Sequence, residues 1–368
     1  MKRIVVEPLD WFSSVGHRFV RLGVSHGVAG TPSYISGRLY GIDISSAAAV
    51  VALNVQAGDH VLDLCCAPGA KLSMISDALV AAEGGGDIDK EGPFAGSVTG
   101  VDIASSRLPA CRTLCKKYNL GNVRLFLDDA CVFNCLAPPA RRLRATSVPS
   151  FDSNKSLPSP VFPLDLTLDL PESLIRVPEI SSKSKKTIAR RNGIALEHLF
   201  FTSNWTIASV ACELYDKVLV DAQCTLDASV RHLLKYNKCG WIDFEGNPSQ
   251  IISELQKKML FNAFRLLKPG GSLVYSTCSF CNAQNEDVVN WLLKHETNAQ
   301  VAPIEWPQKF AVNISPGHIP HTVRFYPKYS GTSGMFIAKI VKMSSATTQE
   351  NQEASSSPST PQPSSSQT

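Results

Sequence analysis

Residues 58–71 read GDHVLDLCCAPGAK, and this stretch decides the fold. The run from His60 to Ala67 has the length and composition of a buried strand, and Pro68-Gly69 ends it in a turn. The residues that follow, KLSMISDALVAA, are typical of a helix. The pattern predicts a strand that passes through a glycine-containing turn into a helix. Backbone N–H groups of such a turn can approach a ligand closely.

The same alternation continues along the chain. Strand-like apolar runs occur at GSVTGVDIA, NVRLFLDDA, YDKVLVDAQ and GSLVYSTCS, and helical spacing occurs at SSRLPACRTLCKKYNL, PSQIISELQKKMLFNAFRLL and NEDVVNWLLKH. The stretch TVRFYPKYSGTSGMFIAKIVK is typical of a closing hairpin. Together they predict an α/β fold with a mostly parallel sheet covered on both faces. Ligands of such sheets bind beyond the carboxyl ends of the strands.

Three segments stand apart from this alternating domain, which spans residues 40–342. Residues 343–368 are rich in Ser, Pro and Gln and hold too few apolar residues for a core, which predicts a disordered tail. A Pro- and Ser-rich stretch without a sustained period predicts an insertion over about residues 137–205. Residues 1–39 form a short N-terminal region.

Composition excludes several classes of protein. The 368 residues are 44% hydrophobic and 18% charged, as in a globular protein with a substantial core. We expect no membrane span, because no run of about 18 apolar residues is present, and we expect no secretory signal. The eleven cysteines are therefore expected to be reduced thiols inside the cell. Their spacing does not form a zinc-ribbon pattern, so no metal is expected.

The net charge of +4 says little about nucleic acid, because binding depends on how the charges cluster. One basic cluster lies within the expected insertion and fits either a solvated loop or a patch that contacts phosphate groups. It consists of Lys183, Lys185, Lys186, Arg190 and Arg191.

Acidic residues stand at the ends of successive strands. Asp102 ends the second strand, where a carboxylate can bind ribose hydroxyls, and Asp128-Asp129 ends the third, where it can accept a bond from an adenine amino group. The first turn is not GxGxxG, so a dinucleotide fits poorly. Any one of these acids could simply cap a helix. All of them at one edge favour a ligand that contains a nucleoside.

Two cysteines stand at the ends of later strands. Cys224 follows Asp221 in KVLVDAQCTLD, and Cys278 lies in LVYSTCSFC. A free cysteine is most often a small buried hydrophobe, and this is the preferred interpretation for Cys65, Cys66 and Cys212. For Cys224 and Cys278 the alternative is covalent catalysis by a thiolate.

The stretch from about Tyr40 to Lys342 resembles the NOL1/NOP2/Sun family of RNA 5-methylcytosine methyltransferases. YGIDISS is similar to the family's aromatic-Gly-x-Asp-x-Ser-Ser segment, and CCAPGAK to its Cys-x-Ala-Pro-Gly-x-Lys loop. DAQC is similar to its Asp-Ala-Pro-Cys motif, YSTCS to its Thr-Cys-Ser motif, and RFYPKYSGTSGMFIAKI to its closing hairpin.

The resemblance implies a Rossmann-like S-adenosylmethionine-dependent methyltransferase fold with S-adenosyl-L-methionine as methyl donor. It also implies RNA (tRNA or rRNA) as partner, no membrane, and a monomer in the nucleus, nucleolus or cytoplasm, with an organelle left open. In this interpretation, residues 1–39 supply part of an RNA-binding module. The residues implied to hold the donor are Cys65, Cys66, Ala67, Pro68, Gly69, Ala70, Lys71, Asp102, Arg107, Asp129 and Asp221.

The same resemblance implies roles in catalysis. Cys278 is the nucleophile that adds to carbon 6 of cytosine, and Cys224 assists release of the methylated base. Asp221 bonds the protonated ring nitrogen, and Lys71 orients Asp221 and the base.

The chain departs from the family pattern at three positions. Gln223 stands where the family usually has Pro, Lys328 where it often has His, and Ser333 where it often has Asp. Gln223 and the short N-terminal region leave open a protein of the same fold that binds RNA or the donor with little or no turnover. A DNA cytosine methyltransferase is a third interpretation, although it would use the cysteine of the Pro-Cys motif as nucleophile. A small-molecule methyltransferase would not need two cysteines.

Overall fold

The computed structural model describes residues 6–14, 17–22, 31–84, 95–138, 198–203, 213–239, 248–306 and 314–344. Its strands are β1 (Val6–Ser14), β2 (His17–Leu22), β3 (His60–Asp63), β4 (Ser97–Asp102), β5 (Val123–Leu127), β6 (Leu199–Thr202), β7 (Tyr215–Asp221), β8 (Leu267–Thr277), β9 (Ala299–Ala302), β10 (Ser315–Pro316), β11 (Val323–Phe325) and β12 (Met335–Lys342). Its helices are α1 (Pro32–Ile35), α2 (Ile44–Leu53), α3 (Ala70–Ala82), α4 (Leu108–Lys117), α5 (Val230–Cys239), α6 (Pro248–Leu266), α7 (Glu286–His295) and α8 (Pro327–Ser330), with a short 3₁₀ helix at Asn282–Gln284.

One large sheet organises the part of the chain from β3 onward. Its order is β10-β11-β12-β8-β7-β3-β4-β5-β6, and β9 pairs with β12 off this path. The central strands β8, β7, β3, β4 and β5 are parallel, whereas β12 and β11 return antiparallel at one side and β6 is antiparallel at the other. β1 and β2 form a separate antiparallel hairpin. The predicted fold class is therefore confirmed: a mostly parallel sheet with a closing antiparallel hairpin.

Helices cover both faces of this sheet. Successive residues of a strand point to opposite faces, so each strand contacts helices on both sides. Val61, on the first parallel strand, packs with residues of α2, α3 and α4, whereas its neighbour Leu62 packs with residues of α6 and α7. Leu125 and Phe126 on β5 divide in the same way. The strands can therefore be apolar almost throughout, as the sequence pattern indicated.

The helix α2 illustrates how the sequence allows close packing. Asp43 caps its start by accepting from the backbone N–H of Ser45 at 3.0 Å. The consecutive Ala47, Ala48 and Ala49 are fully buried, so short side chains bring this helix close to the sheet.

Two sequence-based expectations concern segments that the structure covers only in part. Within the expected insertion over 137–205, residues 198–203 are described and include β6, which pairs with β5. The basic cluster at 183–191, Cys212 and residues 345–368 lie outside the described residues. The domain boundaries, the insertion and the disordered tail stay predictions. No helix of the described chain is both long enough and apolar enough to span a bilayer.

Candidate active site

The candidate site lies at the carboxyl ends of the parallel strands. The chain starts the parallel sheet at β3, adds β4 and β5 on one side, and then crosses to β7 and β8 on the other. The boundary between β3 and β7 is the point where the strand order reverses, and open α/β sheets bind ligands there. Asp63 ends β3 and Asp221 ends β7, directly at this boundary.

The loop from Cys65 to Lys71 connects β3 to α3. Gly69 adopts a φ of +109°, which side chains rarely allow, and a Cβ at this position would lie 3.0 Å from Leu114 and 3.1 Å from the Cα of Cys111. Its carbonyl accepts from both the N–H and the hydroxyl of Ser73 in the first turn of α3. Glycine is therefore required for the loop to turn against α4.

Two residues outside this loop hold it in place: Asp102, which ends the neighbouring strand β4, and Arg107, which precedes α4. One carboxylate oxygen of Asp102 accepts from the N–H of Ala67 at 3.0 Å, and the other accepts from the N–H of Ala104 at 2.8 Å. The guanidinium of Arg107 donates to the carbonyl of Ala67. A carboxylate offers about four acceptor sites, so Asp102 keeps capacity for hydroxyl donors while it orders the loop.

Cys65 and Cys66 point away from each other into the two halves of the core. The Sγ of Cys65 lies 3.8 Å from the Sδ of Met259 on α6, whereas Cys66 packs with the α2–α4 side. Burial raises the pKa of both thiols well above its ordinary value. This packing is consistent with the interpretation of both side chains as small buried hydrophobes, which stays a prediction.

Lys71 and Asp221 meet at the switch point. The Nζ of Lys71 donates to Oδ2 of Asp221 at 2.6 Å, and the hydroxyl of Ser276 donates to Oδ1 at 2.8 Å. Burial opposes the charge of Lys71, but the carboxylate of Asp221 outweighs it, and the pKa of Lys71 is raised. The ammonium therefore stays charged, and both oxygens of Asp221 are fixed in place.

Asp63 adds a second carboxyl group to this centre. It is 1% exposed; Oδ1 accepts from the N–H of Cys65 at 3.3 Å, and Oδ2 has no hydrogen-bond partner. Burial, followed by the nearby charge of Asp221, raises the pKa of Asp63 to about 7. Asp63 is therefore the group in this centre whose charge changes near neutral pH.

The two cysteines come together beside these charged groups. The Sγ atoms of Cys224 and Cys278 lie 3.4 Å apart, within reach of an S–H···S hydrogen bond. This bond, together with burial, raises the pKa of Cys278, and the positive charge of Lys71 acts in the opposite direction. The structure thus brings together all four residues expected to carry the chemistry.

A buried polar network positions the loop that carries Cys278. Asn285 accepts from the hydroxyl of Thr277 and donates to the carbonyl of Ser279 at 2.9 Å. Arg324 on β11 donates to Glu286 at 2.9 Å and to the carbonyl of Phe280 at 3.2 Å. Through Arg324, the closing hairpin therefore holds the Thr-Cys-Ser turn in place. This contact is possible because β12 pairs with β8 and β11 pairs with β12.

Gln223 lies between Asp221 and Cys224 with its side chain exposed. Its carbonyl accepts from the side-chain amide of Gln256 on α6 at 2.7 Å. A buried side chain therefore holds the loop at the position where the family usually has proline. The exposed amide of Gln223 is free to face a substrate.

Asp129 lies farther along the same edge. Its Oδ1 accepts from the N–H of Cys131 at 2.8 Å, and the N–H of Asp128 donates to the carbonyl of Asp102 at 3.3 Å. Two apolar side chains stand exposed near these acids, Ile103 at 37% and Val132 at 55%. Ile103 follows Asp102, and Val132 comes three positions after Asp129, so both add exposed apolar surface close in sequence to these acids.

Sequence reasoning missed several members of the site. Asp63 and Ser276 complete the surroundings of Lys71 and Asp221, and Gln256 supports the Gln223 loop. Asp63 could have been found, because it ends a strand two positions before the loop. Nothing in the sequence marks Ser276 or Gln256, since their roles depend on packing across strands and helices. Among the described residues, no His, Cys, Asp and Glu side chains group so as to hold a metal ion.

The fold and site define a class: the chain has the fold of S-adenosylmethionine-dependent methyltransferases. Two solved structures share it. NSun6 from Pyrococcus horikoshii with the S-adenosylmethionine analogue SFG has a TM-score of 0.55 and 19% identity, covering 89% of this chain and 60% of that one. A methyltransferase homologue from Pyrococcus horikoshii has a TM-score of 0.52 and 20% identity, covering 92% and 79%.

The sequence comparisons show which RNA methyltransferases this chain is similar to. Residues 182–341 match the family described as 16S rRNA methyltransferase RsmB/F. The tRNA (cytosine(49)-C(5))-methyltransferase of Pyrococcus abyssi is 33% identical over 135 residues, 35% of this chain and 42% of that protein. Ribosomal RNA small subunit methyltransferase F of Salmonella paratyphi A is 30% identical over 158 residues, 42% and 31%. The matched region spans less than half of these curated relatives. These matches confirm the resemblance to the NOL1/NOP2/Sun family of RNA methyltransferases.

Proposed function

We propose that this protein transfers a methyl group from S-adenosyl-L-methionine to carbon 5 of cytosine in RNA through a covalent cysteine adduct. The observation that carries the proposal is the pair of thiols 3.4 Å apart beside the Lys71–Asp221 pair. A structural role alone would explain one buried cysteine. It does not explain two thiols next to a fixed carboxylate and a charged lysine at the ligand-binding edge.

The residues of this edge fit the proposed donor. Asp102 lies where a carboxylate can accept from ribose hydroxyls, and Asp129 lies at the end of the next strand, where it can accept from an adenine amino group. Ile103 and Val132 offer apolar surface for the adenine ring between them. The backbone of residues 65–71 and the carboxyl group of Asp221 would hold the methionine part. When bound, S-adenosylmethionine supplies an electrophilic methyl group.

Cys278 carries the first chemical step. Carbon 5 of cytosine is a poor nucleophile, but addition of the Cys278 thiolate to carbon 6 moves an electron pair toward carbon 5. The Cys278 thiol loses one proton and the ring nitrogen takes up one in this step, and the nitrogen releases it again when the sulfur leaves; Asp221 would accept a hydrogen bond from that N–H and stabilise the developing charge. The charge of Lys71 supports the thiolate, because it lowers the pKa of Cys278 against the effect of burial.

Cys224 is placed to act in the last step. After carbon 5 is methylated, its proton must leave so that the carbon 6–sulfur bond breaks and the ring becomes aromatic again. Cys224 Sγ lies 3.4 Å from the leaving sulfur, and its thiolate can take this proton while the Cys278 thiolate departs. The two cysteines thus have successive roles, one forming the bond and the other helping to break it.

The names of the relatives support RNA as the substrate class, and tRNA and rRNA are both represented. The test is methyl transfer from radiolabelled S-adenosylmethionine to total RNA, followed by bisulfite sequencing. Protein with Cys278→Ser is the control. New 5-methylcytosine with wild-type protein and none with Cys278→Ser is expected. Binding of donor and RNA without any transfer would instead support the alternative, a protein of the same fold that does not turn over.

A further inference from the structure

An open groove of about 750 Å³ lies beside the closing hairpin. Its walls come from the start of α5, the residue before α2, and the turn between α8 and β12. They include Asp43, Val230, Arg231, Leu234, Pro327 and Ser333. None of these residues takes part in the reaction described above.

Main-chain hydrogen bonds connect the walls of the groove to the loop of Cys278. The N–H of Ala228 donates to the carbonyl of Cys278 at 3.1 Å, and the carbonyl of Ala228 accepts from the N–H of Gly334 at 2.8 Å. Val230 follows Ala228 by two positions, and Ser333 precedes Gly334. Whatever occupies the groove would therefore lie next to a base bound at Cys278.

Three aromatic rings belong to residues that adjoin the lining of this groove in the sequence or contact its neighbour Gly334. Phe280 stacks on Tyr326 with ring centroids 5.8 Å apart and an angle of 10°, and Tyr329 meets Tyr326 edge-on at 6.4 Å. Phe280 is 38% exposed and Tyr329 is 65% exposed. Gly334 is required here, because a Cβ would lie 2.8 Å from the Phe280 ring. Exposed rings of this kind are surfaces on which unpaired bases stack, whatever their sequence.

The charges at the groove suit a nucleotide. Arg231 lines the groove and is exposed, and the exposed Lys328 follows Pro327 of the lining; the Lys328 ammonium lies 5.6 Å from the Tyr329 ring centroid. Asp43 is an acid, but its carboxylate accepts from the N–H and hydroxyl of Ser45 and from the N–H of Ser333 at 3.4 Å. It therefore joins α2 to the hairpin; although Asp43 is exposed, its carboxylate is engaged by these donors, and two cations stand against this one acid.

We infer that the groove and its aromatic rim bind the unpaired nucleotide that adjoins the target cytosine in the substrate RNA. The base stacks on Tyr329, and the backbone phosphate lies at Arg231. This inference rests on the proposed function. It adds that the substrate is single-stranded around the target and that the closing hairpin contacts it.

The test measures binding of a short fluorescent single-stranded RNA containing cytosine, without donor, over a range of salt concentrations. Tyr329→Ala should weaken binding roughly fivefold or more, because a stacked base is lost, whereas Tyr329→Phe should bind as wild type does. Arg231→Gln should flatten the log–log salt dependence by roughly 0.7, the value for one phosphate contact on a single strand. Lys116→Gln, which removes an exposed charge on α4, is the matched control and should change neither quantity.

The outcomes separate this inference from the function on which it rests. Wild-type affinity and slope in both Tyr329→Ala and Arg231→Gln would overturn the groove assignment, while RNA binding by the wild type would leave the proposed function standing. A wild-type protein that binds donor but no RNA would overturn both. Equal losses in Tyr329→Ala and Tyr329→Phe would overturn the stacking role.

Discussion

The sulfur atoms of Cys224 and Cys278 lie 3.4 Å apart although 54 positions separate them in the sequence. Each follows a strand of the parallel sheet, β7 or β8, and these strands are neighbours. At this distance one thiol can donate a hydrogen bond to the other, so the ionisation of one affects the reactivity of the other.

The first prediction concerns the covalent intermediate. Cys278→Ala removes the nucleophile, so neither methylation nor an RNA adduct should form. Cys224→Ala leaves addition possible but slows elimination, so a protein–RNA adduct that survives denaturant should accumulate. The measurement is a denaturing gel of each variant with RNA and S-adenosylmethionine. An adduct with Cys278→Ala but none with Cys224→Ala would reverse the two roles, and methylation without an adduct in either variant would exclude the covalent mechanism.

The second prediction concerns the ionisation of Cys278. Its pKa is raised first by the hydrogen bond to Cys224, so Cys224→Ala should lower this pKa. Lys71→Met should raise it further, because a positive charge is lost. Alkylation by iodoacetamide, followed by mass spectrometry over a range of pH, measures the ionised fraction. At a fixed alkaline pH, Cys278 should react faster in Cys224→Ala than in wild type and slowest in Lys71→Met. The reverse order would contradict the electrostatic account.

The third prediction concerns the donor. Asp102→Ala removes the acceptor of the Ala67 N–H and the acceptor proposed for the ribose hydroxyls. Affinity for S-adenosylmethionine should fall by roughly 1.5–3 kcal/mol, the range for bonds to a charged group. Titration calorimetry gives the value, and Asp287→Ala, in the first turn of α7, is a control. Unchanged affinity in Asp102→Ala would remove Asp102 from the donor site.

The fourth prediction concerns Asp63 and pH. The folded-state pKa is about 7, above the ordinary value of 3.8, so the folded state holds this proton more tightly than the unfolded chain. Its contribution to the free energy of unfolding is present below about pH 4 and is lost as pH rises toward 7. Asp63→Asn should therefore gain stability relative to wild type, by up to a few kcal/mol, between pH 5 and pH 8. Urea unfolding of both proteins at these pH values measures the difference, and a constant difference would show that Asp63 does not titrate in this range.

The fifth prediction concerns the basic cluster. If it contacts phosphates, neutralising Lys185, Lys186, Arg190 and Arg191 should flatten the salt dependence of RNA binding by roughly 0.7–0.9 for each lost contact. An identical slope would mean that the segment is a solvated loop.

Much of the fold could be predicted because its strands are short apolar runs between clear turn signals. β3, β4, β5, β7 and β8 all occur where the sequence indicated them. β6 was missed because it lies inside a segment without a regular period, and it becomes a strand only by pairing with β5. Secondary structure that depends on a partner strand leaves little local signal.

The residues of the candidate site likewise divide into those that the sequence predicted and those that it did not. Cys224, Cys278 and Asp221 stand in recognisable motifs at strand ends, so their convergence could be expected from the topology. The unpartnered oxygen of Asp63 and the bond from Gln256 to the Gln223 carbonyl could not. Both depend on which side chains the folded chain brings next to these groups from other helices and strands.

The connection that leaves the described core after β5 and returns at β6 bears on how such chains can diverge in evolution. The chain leaves the described core just after Ala137, whose N–H is bound by the carbonyl of Glu213, and re-enters at His198, whose carbonyl binds the N–H of Leu127. Both anchor points are main-chain hydrogen bonds away from the two thiols, and the entropic cost of a longer connection grows only with the logarithm of its length. The intervening stretch can therefore change in length or sequence over evolution without altering the positions of Lys71, Asp221 and the two cysteines.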